Sequence, residues 1–322
     1  MKEGEQTLLP KGVTEETITK MMPDIDDLLL RRLPVPPCEG PRLKAFRHIP
    51  KEIEFLRLLS CDPMSEESET GSSYVFEVLI NKKRFALKMF KFFDAEGFRW
   101  EIPSVYGEEV SDETLTFHSD PFFAECRAYG KINKYYEDMD DKARRRHQRI
   151  RPEPGSAKKK QLAVPCYGYI TVAAEYEKML QKKFDVWEWD RSEEEELGEI
   201  AKRPFRALVK ELVTSPVSVL NPRRMLGDLK KLRKLEIFAR DIYARNYKAG
   251  FLVDFSVAWT APHWCLEVLG PYQRKSGTNS ELGLFDLMIE EEGIKTSVRA
   301  TRSWRYCRKL RSWGKQDKSE TV

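Results

Sequence analysis

Six cysteines (Cys38, Cys61, Cys126, Cys166, Cys265, Cys307) are present, but no two stand as a CxxC pair. That absence argues against a zinc knuckle or a dithiol redox motif and suits an intracellular chain with reduced thiols. Long apolar runs are missing as well: PDIDDLLLRRL and GFLVDFSVAW both fall short of the roughly 18 residues that a membrane span needs. The first residues, MKEGEQTLLPKG, lack the apolar core of a secretory leader, so neither a membrane protein nor a secreted one is expected. A strong charge of one sign is absent too. Charged residues make up 34% of the chain, yet they nearly cancel to a formal +4, so no global field points to nucleic acid. No internal repeat is seen.

What is there is a chain of 322 residues with 41% hydrophobic content, enough for one large two-lobed domain. Residues 1–50 combine a short helical stretch with RRLPVPPCEGPRL, whose prolines read as an N-terminal extension. Beyond it IEFLRLLS, SYVFEVLI and KRFALKMF read as three strands of an antiparallel meander, the last two joined at Asn81-Lys82-Lys83. A polar stretch through residues 91–120 is expected to wrap the surface as an insertion. A helix should then start at Asp120, a good N-cap followed by Pro121. Residues 137–161 read as a basic loop, and VPCYGYITVAAEY as a strand. WEWDRSEEEELGE, within 177–203, reads as a charged insertion, and PFRALVKELV as another strand. In the last part, 216–322, Leu226, Leu229, Leu232 and Leu235 recur at helical spacing, and a hairpin should turn near Ala249-Gly250.

One ordered set of polar residues stands out against this framework. Phosphate transfer of the kinase type needs a strand lysine for the phosphates and a helix glutamate to orient it. It also needs a carboxylate near the acceptor, with an Asn and an Asp for magnesium. Lys88 closes FALK, Glu125 lies one turn into the next helix, Asp241 follows the leucine-rich helix, Asn246 comes in DIYARN, and Asp254 closes FLVD. The Asp241 to Asn246 interval equals that of the HRDxxxxN loop, and DFS differs from DFG by one residue. Singly, each has a plainer reading: Lys88 as a strand-end lysine over apolar surface, Glu125 as a solvated helix charge, Asp241 and Asn246 as turn caps.

GPRLKAF, EIEFLRLL, YVFEVLINKKRFALKMF, FFAECRAYGKI and RDIYARNYKAGFLVDFSVAWTAPHW together resemble the fungal kinase-like family of the Fta-two subunit of the Sim-four kinetochore complex, over about residues 40–264. The resemblance implies an α+β, protein-kinase-like two-lobed fold: an antiparallel N-lobe sheet with an αC-type helix within 51–215, and an abbreviated helical C-lobe over 216–322. It implies a nuclear, centromere-associated protein with protein partners, and ATP with magnesium as candidate cofactors. In that frame Lys88, Glu125 and Asp241 are the catalytic candidates, Lys88, Gly71, Asn246 and Asp254 would hold the nucleotide, and Asn246 and Asp254 the metal.

The chain also departs from an active kinase. Only Gly71 remains where a phosphate loop has several glycines, and SEESE brings acids to that place. Ala239 and Ser256 replace the HRD histidine and the DFG glycine, and no APE motif follows. Two readings therefore stand side by side, a pseudokinase-type binding module and an atypical phosphotransferase using Asp241. A third uses the basic run Arg144, Arg145, Arg146, Arg149, Arg151, Lys158, Lys159 and Lys160 for nucleic acid or nuclear import, against a plainer solvated loop. The C-terminal VRATRSWRYCRKLRSWGKQ reads first as an amphipathic helix, and His263 as a hydrogen-bonded structural residue.

Overall fold

The computed structural model describes residues 43–47, 53–60, 71–100, 110–147, 161–214, 221–269 and 271–301. The expected N-terminal extension over 1–50, apart from residues 43–47, the acidic SEESE run, the basic run from 148 to 160 and the C-terminal segment from 302 lie outside them. Architecture is α+β. Strands β1 (Glu54–Leu58), β2 (Ser73–Ile80), β3 (Lys83–Phe90), β4 (Cys166–Val172) and β5 (Phe205–Lys210) form a five-stranded antiparallel sheet in the order β1-β2-β3-β5-β4.

The first three strands pair as a meander, with Ala86 opposite Glu77 and Lys88 opposite Val75. Asn81 and Lys82 turn the hairpin with φ of 50° and 64°, the two positive values that a two-residue turn matched to strand twist requires. Period-2 alternation then sorts the side chains. Leu87 and Met89 of β3, with Phe205, Ala207 and Val209 of β5, enter one core, whereas Phe90 and Leu208 enter another. Lys88, Arg206 and Lys210 share that second face, so three cations point where a helix must cover them. At the outer edge, β4 is capped by residues 43–47: Ala45 bridges Tyr169 in parallel, and a Cβ on Gly168 (φ +142°) would lie 2.6 Å from Lys44 O.

Helix α1 (Ala95–Arg99) and helix α2 (Asp112–Ser119) follow β3. The surface wrap expected for this stretch is corrected by α2, which buries Leu115, Phe117 and His118. Ser111 caps it through Thr114 N. Helix α3 (Pro121–His147) begins where the sequence places it, with Asp120 Oδ1 accepting Phe122 N at 2.9 Å. It does not end at Glu137, as the basic-loop reading required. The helix runs on through His147, with Lys134 and Asp138 paired at i,i+4 and Ala143 and Arg144–Arg146 all good helix formers. Arg144, Arg145 and Arg146 thus stand on a helix, not in a loop.

Helices α4 (Tyr176–Phe184) and α5 (Glu193–Leu197) lie between β4 and β5. Here the charged-insertion reading is corrected, because Leu180, Val186 and Trp189 belong to the core on the far face of the sheet. Helix α6 (Pro222–Lys234) is the leucine-rich element; Asn221 caps it, and Leu226, Leu229 and Leu232 are buried. After it come two-residue strands: β6 (Ile237–Phe238) pairs with β9 (Trp259–Thr260), and β7 (Tyr247–Lys248) with β8 (Phe251–Leu252) around Ala249-Gly250 as expected. Helices α7 (Trp264–Val268) and α8 (Pro271–Glu291) complete the described chain, and Phe285, Met288 and Ile289 of α8 join α3 and α6 in one core. No helix among the described residues is long and apolar enough to cross a membrane.

One seam joins α2 and α3 to the β9–α7 segment. Arg127 Nη2 donates to Thr260 O at 2.7 Å and to Pro262 O, and Arg127 Nη1 meets His118 Nδ1 at 2.8 Å. The His118 and His263 rings lie 5.0 Å apart, and His263 Nδ1 accepts Cys265 N to cap α7, the structural role expected for it. Burial, then the nearby Arg127 charge, holds both imidazoles well below the ordinary histidine value; Arg240 adds to this at His263. Both are therefore neutral in the fold but protonated in acid once unfolded. Their contribution is complete above the unfolded value near 6.5 and is lost as pH falls below it. Stability in urea is expected to drop between pH 7 and pH 5 by up to about 1.4 kcal/mol per pH unit for each histidine. The double variant His118→Gln, His263→Asn should flatten that slope; an unchanged slope would assign the acid sensitivity to other groups.

Candidate functional site

The cations aligned on the sheet meet the acids of α3 and of the segment after β8. Lys88, 3% exposed, places Nζ 2.8 Å from Glu125 Oε2 and 2.7 Å from Asp254 Oδ1. Glu125 is fully buried because the Asp120 cap and Pro121 start α3 one turn earlier, which turns this carboxylate toward β3 and β5. Lys210 closes the group: its Nζ meets Glu125 Oε1 and donates to Val253 O at 2.7 Å. Its amine also lies over the Tyr129 ring.

Two ammonium groups and two carboxylates so form a compensated cluster. Burial opposes the charge on Lys88, yet Asp254 and Glu125 outweigh it and hold the ammonium above the ordinary lysine value. Burial also works against the Asp254 carboxylate, but Lys88 and then Lys210 hold it well below the usual carboxylate range. Ser256 N donates to Asp254 Oδ1 at 2.8 Å and fixes the turn after it.

Asp241 and Asn246 form a second group beside the first. Asn246 Nδ2 donates to Asp241 Oδ2 at 2.8 Å and to Asp241 O at 3.1 Å, and Arg245 Nη2 lies 3.5 Å from Asp241 Oδ1. The β7–β8 hairpin straps the two groups together, since Val253 N donates to Asn246 O at 2.9 Å, one residue before Asp254. Asp241 and Asp254 keep 27% and 24% of their side chains exposed, whereas Lys88 keeps 3% and Glu125 none. Asp241 and Asp254 are thus the carboxylates of the two groups that water reaches.

All five polar residues expected from the sequence lie in this region. Gly71 stands just before β2, where an added Cβ would meet no protein atom within 4 Å. Among the described residues no group of three His, Cys, Asp or Glu could hold a metal ion. The oxygen-bearing side chains in the region are Asp241, Asn246 and Asp254, the donor type that hard cations prefer.

Two residues escape sequence reasoning. Lys210 ends RALVK as Lys88 ends FALK, and the repeated pattern of a lysine closing an apolar strand was the available signal. Glu281 of α8 is fully buried; its Oε2 accepts Ala239 N at 2.7 Å and its Oε1 meets Arg233 Nη1 at 2.7 Å. It pins the backbone two residues before Asp241, where Arg240 takes φ 61° and stacks over Trp259 at 3.8 Å. An acid in helical register with Phe285 and Met288 was the signal for it.

The sequence family described as Kinetochore Sim4 complex subunit FTA2 matches residues 32–143 and 155–259. The two segments take in all five site residues and end just after Asp254. No curated protein matches the chain.

Proposed function

Because the chain belongs to the FTA2 family of kinetochore Sim4 complex subunits, and so works with protein partners at the kinetochore of the nucleus, we propose that it serves there as a kinase-like binding module with a ligand site between its lobes. The sheet order β1-β2-β3-β5-β4, with a long helix between β3 and β4 whose glutamate pairs the β3 lysine, supports the kinase-like reading.

The observation that carries the non-catalytic side is Asp241. Its Oδ2 is engaged by Asn246 Nδ2 and its other oxygen faces Arg245, while Lys88 is already matched by two carboxylates. The carboxylate that would have to accept a hydroxyl proton thus already faces a donor on each oxygen, while the Asn246 amide oxygen takes no part in that bond. A nucleotide, if bound, would present its phosphates to Lys88, with Asn246 and Asp254 beside any magnesium; the metal would supply charge relief to those phosphates.

Thermal denaturation of the purified chain tests this. ATP with magnesium is expected to raise Tm, because a ligand that binds only the native state stabilises it by mass action. Lys88→Met should remove the shift, Asp241→Asn should keep it, and no phosphate transfer should accompany it. Absence of any shift would end the ligand-site reading and leave family and kinetochore placement untouched.

A second reading, an atypical phosphotransferase, draws on the retention of Lys88, Glu125, Asp241, Asn246 and Asp254 in one region. Asp241 would then orient an acceptor hydroxyl, and phosphate release that vanishes in Asp241→Asn would favour it. A nucleic-acid surface at Arg144, Arg145, Arg146, Lys158, Lys159 and Lys160 draws no support from the family match or from the described residues.

A further inference from the structure

We infer that Lys210 supplies, inside the Lys88–Glu125–Asp254 cluster, the positive charge that a metal ion would otherwise supply, so that the site takes the polyphosphate of a nucleotide without a divalent cation. The inference rests on the ligand-site reading above and deepens it.

Charge is the first argument. Lys88, Glu125 and Asp254 alone would sum to one negative charge, and an incoming polyphosphate would face a repulsive cluster until a cation neutralised it. Lys210 brings the sum to zero from within the protein, its Nζ buried against Glu125 Oε1. Geometry is the second. Lys88 sits between two carboxylates and is the member a phosphate would draw away. With a single lysine, that movement would strand the buried Glu125 carboxylate, a strongly unfavourable state. Here Lys210 stays on the other oxygen of the same carboxylate, so Lys88 can turn to a ligand without orphaning its partner.

The third argument is the carbonyl of Val253. Lys210 Nζ donates to it at 2.7 Å, and Val253 N in turn donates to Asn246 O. One ammonium therefore holds both the glutamate and the backbone that carries Asp254, the two attachments that must persist while Lys88 moves. The lowered carboxyl of Asp254, to which Lys210 contributes after Lys88, agrees with this placement.

Calorimetry and thermal denaturation of the full chain with ATP, in magnesium and separately in excess EDTA, test the inference. At about 100 times Kd the wild type should gain roughly 5–10 °C in Tm in both media. Lys210→Met should respond only with magnesium, Lys210→Arg should respond in both, and Lys88→Met in neither. A wild-type response that requires magnesium would overturn the inference while leaving a nucleotide site in place. Absence of response in either medium would remove both the inference and the site. An EDTA-resistant response that survives in Lys210→Met or Lys88→Met would also overturn it, since the ligand would then be held elsewhere. If Lys210→Met does not fold, the wild type in the two media and Lys210→Arg still separate a lysine-compensated site from a magnesium-dependent one.

Discussion

Replacing Glu125 with alanine is expected to cost about 3–5 kcal/mol, the range for stripping one partner from a buried ion pair. Glu125 is fully buried and faces both Lys88 and Lys210, so its loss leaves two ammonium groups with only the Asp254 carboxylate between them. A total stability of about 5–15 kcal/mol makes this a change that brings the fold close to its limit. Urea midpoints at neutral pH measure it. Glu125→Gln should cost less, since an amide oxygen still accepts from one lysine. The combined change Lys88→Met, Glu125→Leu, Asp254→Asn, Lys210→Met should recover much of the loss, because all four charges of the cluster are removed together and none is left without a partner. That protein would be stable and unresponsive to ATP, separating what the cluster does for folding from what it does for ligand. A Glu125→Ala change within about 0.5 kcal/mol, the range of ordinary surface substitutions, would contradict the geometry.

Glu195→Ala is expected to be equally damaging, at about 3–5 kcal/mol, in a place the sequence made look inert. Glu195 is one of four consecutive glutamates in α5, and it alone is buried. Its Oε1 accepts Arg191 Nη1 at 2.9 Å and Arg203 N at 2.6 Å, and its Oε2 accepts Arg203 Nε at 2.9 Å and Nη2 at 2.5 Å. Arg191 also binds Glu177 through Nε at 3.0 Å and lies over the rings of Phe92 and Phe205 at 4.5 and 4.7 Å. Removing the carboxylate would leave a buried guanidinium short of its partner beneath the sheet. Glu196→Ala, one residue on and exposed, should change stability by less than about 0.5 kcal/mol. Equal effects of the two substitutions, read from urea midpoints, would mean that the arginine network carries no net stability.

Glu195 also shows where sequence reading stops. A run of glutamates with an occasional leucine has the composition of a solvated face, and nothing local distinguishes the third glutamate from its neighbours. Its burial depends on Arg191 and Arg203 arriving from either side, which the fold of α4, α5 and β5 arranges. Residues 112–119 mislead for a related reason: DETLTFHS is mostly polar by count, but Leu115 and His118 lie on one helical face and α3 is there to cover it. The end of α3 is equally hard to place, because arginine-rich sequence serves helix and loop alike.

The sequence by itself determined the strands of the meander, the Asn81-Lys82 turn, the Asp120 cap, the leucine face of α6 and the hairpin at Ala249-Gly250. It also set the order of Lys88, Glu125, Asp241, Asn246 and Asp254, because periodicity, capping and turn chemistry act over a few residues and leave their mark there. Only the tertiary structure decided that Lys210 would share Glu125 with Lys88 and that Glu281 would hold the chain ahead of Asp241. Those contacts join residues 85 and 42 positions apart. They depend on strand register and helix packing, in which a shift of one residue sends a side chain to the opposite face of the sheet.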